Sequence, residues 1–95
     1  MSVLLVSTLR IKDPAKLAEY RKAVGPMIRA RGAELVCKSD HKVADLAGNL
    51  NADSVVIFRF ESMDALRGWY DSPAYQELVA LRDEGSEGEF AVFEE

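Results

Sequence analysis

One histidine and one tyrosine are the side chains in this sequence best suited to acid–base chemistry without a cofactor. Imidazole exchanges a proton near neutral pH, so His41, in the segment Ser-Asp-His-Lys at a predicted strand end, is a candidate to transfer a proton. Tyr20 is the second catalytic candidate, because it adds a hydroxyl to the apolar side of a predicted helix. The structural alternatives are a solvated surface histidine and a tyrosine packed in the core.

Four further residues are candidates for ligand binding. Trp69, Tyr70 and Tyr75 stand together in the segment WYDSPAYQEL, where they either line a site or pack at a break between two helices. Arg59 interrupts an otherwise apolar strand, and an isolated buried charge is very costly. Arg59 therefore either binds a substrate carboxylate or enolate, or pairs with a carboxylate across the sheet or across a dimer.

The sequence lacks the motifs of most cofactor-dependent chemistry. It has no glycine-rich phosphate loop and no HExxH, CxxC or GxSxG motif. One histidine and one cysteine are too few for a metal site or a nucleophilic triad, and Cys37 is predicted to be a small hydrophobic residue in a strand. The sequence therefore predicts no metal and no cofactor, and leaves cofactor-free acid–base chemistry.

The composition predicts a globular chain with one domain, residues 1–95. Hydrophobic residues make up 48% of the sequence and charged residues 29%, and the net charge is −4. The basic side chains are concentrated in the first half, but no stacking aromatics are interleaved with them, which argues against a nucleic-acid partner. No apolar run approaches the ~20 residues that span a bilayer, and the N-terminus has no signal-peptide pattern. With one cysteine, and so no internal disulfide, a cytoplasmic location is predicted.

The elements that must position these residues follow from the apolar periodicity. Residues 3–11 (VLLVSTLRI) predict a first strand, and Asp13-Pro14 predicts the cap and first position of a helix. This helix carries Tyr20 on its apolar face, should kink at Gly25-Pro26 and should end at Gly32. Three more strands are predicted at residues 33–38 (AELVCK), 54–61 (SVVIFRFE) and 89–93 (EFAVF).

The second helical region is predicted as two segments. Ser62 caps the first, which carries Trp69 and Tyr70. Pro73 inside one continuous helix would cost about 3 kcal/mol, so the helix should break at Asp71-Ser72, with Ser72 capping a second segment that begins at Pro73. The Ser-Pro pair is therefore predicted to separate two helical segments.

The resulting order, β-α-β-β-α-β, is that of the α+β ferredoxin-like fold with a four-stranded antiparallel sheet. Two helices can cover only one face of such a sheet. The strand segments VLLV, VVIF and FAVF are apolar on both faces instead of alternating. The simplest way to cover the other face is a second copy of the chain, packed sheet to sheet in a two-fold homodimer.

The segment ESMDALRGWYDSPAYQELVALRD resembles the signature of the family of domain of unknown function 1330. The resemblance covers most of the chain and includes Asp13-Pro14, Tyr20-Arg21, Pro26, Gly32 and the strand VVIFRF. It implies a dimeric α+β barrel, similar to antibiotic-biosynthesis monooxygenases, muconolactone isomerases and chlorite dismutase relatives, and no established activity. The chain departs from the family pattern around the expected pocket mouth, at Lys38–His41, Leu50, Asn51 and Arg59.

Three functional hypotheses follow. The first is a small-molecule-binding dimeric barrel with a pocket between the first helix and the sheet, acting as a cofactor-independent oxygenase or isomerase on a small apolar or aromatic carbonyl compound. The second is a non-catalytic ligand-binding or dimeric scaffold module. The third is a haem-handling relative, which only the fold favours and the single histidine disfavours.

Overall fold

A computed structural model describes residues 1–95 and has the predicted order of elements. They are β1 (Val3–Ile11), α1 (Pro14–Ala30), β2 (Glu34–Ser39), β3 (Ser54–Phe60), α2 (Met63–Tyr70), α3 (Pro73–Gln76), α4 (Val79–Gly85) and β4 (Ser86–Glu94). The strands form one sheet in the order β2-β3-β1-β4, and every neighbouring pair is antiparallel. The α+β ferredoxin-like fold is thereby confirmed, with the second helical region divided into three short helices.

Local capping signals set where the helices begin. The Asp13 carboxylate accepts hydrogen bonds from the backbone of Ala15 at 3.1 Å and Lys16 at 3.2 Å, so α1 begins where predicted. The helix then continues through Pro26 to Ala30. No helix is both long enough and apolar enough to cross a membrane.

Ser72 joins the two predicted segments of the second helical region. Its hydroxyl accepts from the backbone N–H of Tyr75 at 3.2 Å and donates to the carbonyl of Trp69 at 2.7 Å. The predicted break at Asp71-Ser72 is therefore present, and one side chain fixes the end of α2 to the start of α3. This junction orients the aromatic side chains on either side of it.

The last strand is longer than the sequence pattern predicts. It begins at Ser86 instead of Glu89, and its first residue pairs with Ile11 of β1. A Cβ on Gly88 would lie 2.1 Å from the carbonyl oxygen of Thr8, so glycine here permits close pairing with β1. Gly88 is thus a position of close backbone approach inside a strand.

The sheet has one face covered by helices, which we call the covered face. Alternate residues of β1, beginning with Val3 and Leu5, are buried on this face together with Phe60 of β3. The helices contribute Leu17, Tyr20, Ile28, Leu66, Trp69 and Tyr75 to the same core. The core therefore lies in a single layer between the sheet and the helices.

The other face of the sheet, which we call the open face, has no cover in the protomer. The register places on it Leu4, Val6, Val55, Ile57, Ala91 and Phe93. Phe93 is 59% exposed. An apolar patch built from the middle of a sheet is characteristic of an interaction surface.

Candidate functional site

A cavity of about 170 Å³ lies between α1 and the covered face of the sheet. Its walls are mainly apolar, and include Val24 and Ile28 of α1, Phe58 of β3 and the ring of Trp69. The polar residues of the lining are Ser7, Tyr20 and three basic residues, Arg21, Arg29 and Lys38. An apolar cavity with a few polar groups is the usual form of a small-molecule site.

Tyr20 brings a buried hydroxyl to this cavity. Its ring is 5% exposed, and its hydroxyl oxygen lies 2.8 Å from that of Tyr75, which is fully buried. Burial raises the pKa of Tyr20 above its usual value, and the neighbouring Tyr75 hydroxyl adds to the effect. Burial also raises the pKa of Tyr75. Both phenols therefore stay protonated at physiological pH, which makes them hydrogen-bond donors and not bases.

Arg82 lies behind the two tyrosines. One of its terminal nitrogens, Nη1, donates to the Tyr75 hydroxyl at 3.2 Å and to the Tyr70 hydroxyl at 3.3 Å. A guanidinium group can only donate, so both phenol oxygens accept from it. We call Tyr20, Tyr70, Tyr75 and Arg82 the hydroxyl cluster.

The hydroxyl cluster contains one residue that the sequence analysis did not assign to the site. Arg82 follows Tyr75 by seven residues, a spacing that puts both on one side of a helical segment, and this signal was available in the sequence. The Tyr20–Tyr75 contact joins residues that are 55 positions apart, so no local pattern reports it. The structure brings these side chains together through the packing of α1 on the second helical region.

Trp69 has both a core and a lining position. The indole is 1% exposed, and its ring centre lies 5.8 Å from that of Phe60 and 4.5 Å from that of Tyr75. The ring also forms part of the cavity wall. The indole N–H is buried and has no hydrogen-bond acceptor, so Trp69 contributes to the site through its apolar surface.

Tyr70 lies on the far side of Tyr75 from the cavity. Its ring centre is 5.1 Å from that of Tyr75, and it lines a separate surface pocket with Arg82 and Ser86. The hydroxyl cluster therefore runs from the cavity at Tyr20, through the fully buried Tyr75, to a second pocket at the surface.

An ion pair lies at another side of the cavity. Arg21 donates from both terminal nitrogens to the Asp40 carboxylate at 3.0 Å each, and Ser54 donates to the same carboxylate at 2.8 Å. The hydrogen bonds from Arg21 hold the pKa of Asp40 below its usual value. Arg21 is thus matched by a carboxylate, whereas Arg29 and Lys38 form no ion pair.

Two predicted site residues lie away from the cavity. His41 is exposed in the loop between β2 and β3, beside a polar surface pocket, so its proton-transfer role stays a prediction that the protomer does not link to the cavity. Arg59 projects from the open face, where its guanidinium contacts Glu34 at 2.8 Å and Glu95 at 2.7 Å. Arg59 was predicted either to bind a ligand or to pair with a carboxylate, and in the protomer it pairs with carboxylates on the sheet. No three His, Cys, Asp or Glu side chains lie close enough together to hold a metal ion.

A family model described as domain of unknown function 1330 matches residues 2–95. No curated protein matches the sequence. Solved structures share the fold at low sequence identity, and three of them illustrate the likeness. A protein of unknown function from Rhodopseudomonas palustris is 18% identical, with a TM-score of 0.82, and the match covers 99% of this chain and 82% of that one.

The second solved structure is SnoaB, a cofactor-independent oxygenase from Streptomyces nogalater, which is 16% identical with a TM-score of 0.70. That match covers 99% of this chain and 92% of SnoaB. The third is a dimeric ferredoxin-like protein of unknown function from Thermobifida fusca, 20% identical with a TM-score of 0.64, covering 98% of this chain and 90% of the other. These likenesses establish the fold.

Proposed function

The chain belongs to this family of unknown function, and we propose that it is a cytoplasmic, single-domain protein that binds a small apolar or aromatic carbonyl compound in the cavity beneath α1. One observation carries the proposal. Tyr20 lines an apolar cavity, and its hydroxyl is backed by the buried hydroxyl of Tyr75 and the guanidinium of Arg82. Such a preorganised donor suits a ligand oxygen that carries or develops negative charge.

The hydrogen bonds are compatible with a donor role for Tyr20. Because Arg82 can only donate, the Tyr75 oxygen accepts from it, and either hydroxyl can be the donor between Tyr75 and Tyr20. When Tyr75 is the donor, the proton of Tyr20 is available to a ligand carbonyl. Trp69 supplies apolar surface for the ligand, while Tyr75 and Tyr70 act from behind Tyr20.

Binding followed by reaction is the first version of this function. A carbonyl compound whose oxygen accepts a hydrogen bond from Tyr20 ionises more readily to its enolate, which reacts with dioxygen or takes back a proton at another carbon. These are the steps of a cofactor-independent oxygenase or isomerase, and the fold shared with SnoaB adds an analogy. His41 would move the proton only if the assembled protein brought it to the ligand.

Binding without reaction is the second version, and the cavity lining favours it for weakly acidic ligands. The residues that line the cavity include no carboxylate and no histidine, so they offer no general base. Catalysis therefore requires a substrate acidic enough to ionise when its oxygen accepts the Tyr20 hydrogen bond. With less acidic compounds the protein acts as a ligand-binding module or a dimeric scaffold.

The homodimer is part of the proposal. The apolar centre of the open face lies between two charged groups, Arg59 with Glu34 and Glu95 at one end, and Arg10 with Glu87 and Glu89 at the other. An apolar centre with a charged border is the usual anatomy of a protein interface. A second copy brings the same apolar patch and the same charges, which makes it a self-complementary partner.

A titration with matched probes tests the ligand proposal. Acetophenone and ethylbenzene have similar shapes, but only acetophenone has a carbonyl. We expect the wild-type protein to bind acetophenone more tightly, measured by quenching of Trp69, the only tryptophan. Tyr20→Phe should remove this preference, and Tyr70→Phe, whose hydroxyl lies behind Tyr75, should reduce it less.

Oxygen uptake with acidic carbonyl compounds then separates the two versions. Uptake that depends on Tyr20 supports the oxygenase. Equal binding of the two probes by the wild-type protein, or binding of neither, would refute the proposed ligand class.

A further inference from the structure

We infer that the cavity takes an anionic ligand of single-ring size, a compound whose carboxylate lies at Arg29 and Lys38 while its ring contacts Phe58 and Trp69. This inference rests on the proposed function and narrows its ligand class. It starts from the charges that line the cavity. All three charged side chains there are basic, although the chain as a whole has a net charge of −4.

Only one of the three basic side chains is neutralised within the protomer. Arg21 is held by both oxygens of Asp40, which leaves it little capacity for a ligand. Arg29 and Lys38 line the same cavity, form no ion pair and come from different elements, α1 and β2. Two exposed cations from different elements at the edge of an apolar cavity create a positive potential there, which attracts a carboxylate.

The position of Gly25 fits this arrangement. A Cβ on Gly25 would lie 2.9 Å from Nη2 of Arg29, so the guanidinium lies directly over this glycine. Glycine inside a helix costs roughly 0.5–1 kcal/mol relative to alanine, but Gly25 also precedes Pro26, whose ring would crowd a Cβ at this position. Because Gly25 has no side chain, Arg29 can lie along α1 at the cavity, which Gly25 itself also lines.

The volume limits the size of the ligand. The cavity holds about 170 Å³. An apolar cavity of about 150 Å³ in another protein accepts a benzene molecule, so this one accommodates one aromatic ring and not two. A benzoate-like anion would bury its ring against the apolar walls and keep its charged group at the open, basic end.

Benzoate and benzamide test the inference, because they have nearly the same shape and differ in charge. We expect the wild-type protein to bind benzoate about tenfold more tightly than benzamide, which is the difference one charge-assisted interaction supplies. Binding is followed by Trp69 fluorescence and calorimetry. The double variant Arg29→Gln/Lys38→Gln should lose the preference and keep its affinity for benzamide. Lys22→Gln, which removes an exposed charge from α1 outside the cavity, should keep the preference.

Two further measurements sharpen the test. Gly25→Ala should displace Arg29 and reduce the preference for benzoate, and added salt should weaken benzoate binding and leave benzamide unaffected. Equal affinities in the wild-type protein, or an unchanged preference in the double variant, overturn the anionic ligand while leaving the neutral carbonyl ligand standing. Failure of acetophenone, benzoate and benzamide alike to bind would instead refute the proposed function, and this inference with it.

Discussion

The covered and open faces of the sheet are made by the same strands and both have an apolar centre, yet only one is buried. Leu5 is 3% exposed beneath the helices, while its neighbour Leu4 points to the other side and is half-buried. A sheet with one solvated face would alternate apolar and polar residues. The absence of that alternation in the middle of the sheet supports the proposal that a partner covers the open face, as the helices cover the other one.

The two faces also differ in what they contain. The covered face holds the cavity and the tyrosine hydroxyls, whose partners are buried donors and acceptors. The open face has an apolar centre and ion pairs at its ends. The proposed functions are therefore divided between them, with ligand binding assigned to the covered face and association with a second copy assigned to the open face.

The largest expected difference between the faces is the effect of removing a ring. Trp69→Ala should lower the free energy of unfolding by about 3–5 kcal/mol, because the indole is buried against Phe60 and Tyr75. Phe93→Ala, on the open face, should leave the stability of the monomer nearly unchanged, since its ring is 59% exposed. Urea denaturation of both variants checks this. An unaltered melting temperature for Trp69→Ala would contradict the core position of the indole.

The second prediction uses two adjacent residues of β3. Ile57 lies on the open face and Val56 lines the cavity, so a charge can be introduced on either side of the same strand. Ile57→Asp should give a folded monomer, with association weakened by about 3 kcal/mol or more, because the carboxylates lose water in the interface. Val56→Asp should remain dimeric but lose ligand binding and stability.

Light scattering and circular dichroism at micromolar concentration measure these two outcomes. A wild-type protein that has the mass of a monomer, or an Ile57→Asp variant that stays dimeric, would rule out the open face as the interface.

The third prediction is a loss of stability at high pH that comes from the covered face. Tyr20 and Tyr75 have raised pKa values in the folded protein, against a usual value of 10.0. The contribution of these two tyrosines to folding stability is fully present below pH 10 and falls as the pH rises further. The reason is that their hydroxyls ionise in the unfolded chain and stay protonated in the folded one. The slope should be roughly 1.4 kcal/mol per pH unit for each such tyrosine. Tyr20→Phe should make the slope smaller, and an unchanged slope between pH 10 and 11.5 would contradict the buried pair.

The smallest expected effect is a loss of stability at low pH that comes from the open face. The hydrogen bond from Arg59, with a second from Ser2, lowers the pKa of Glu95 from 4.5 to about 2. Its contribution is full above pH 4.5 and is lost as the pH falls towards 2. Denaturation of wild-type protein and Glu95→Gln at pH 7 and pH 2.5 should show a small difference that shrinks at the lower pH. A difference that grows on acidification would contradict the pairing.

The fold was predictable where short-range signals decide it. Asp13 and Ser72 cap helices through contacts with residues two or three positions away, so their role can be found in the sequence. The start of β4 was not predictable in the same way. Gly88 has the local signature of a turn, but the atom that explains it is a carbonyl of Thr8, at the other end of the chain.

The candidate site was predictable only in part, for a related reason. The apolar face of α1 indicated that Tyr20 lies over the sheet, and Tyr20 does line the cavity. Its partners Tyr75 and Arg82 come from a distant helical region, and no periodicity in α1 reports them. The sequence also could not assign Val56 and Ile57 to their faces, because both are apolar. The alternation of side chains along a strand assigns faces only when one residue of that strand is already placed.

The central position of β1 has a consequence for how the chain folds. Both strands that pair with β1 come from the second half of the chain, so each pairing closes a long loop. The conformational entropy of the loop is lost before side-chain packing can offset it. Helix α1 can form early from local contacts, but it has no sheet to pack against until β3 and β4 arrive. We therefore expect the slow step of folding to be the docking of the C-terminal half onto β1, with the cavity beneath α1 among the last features to form.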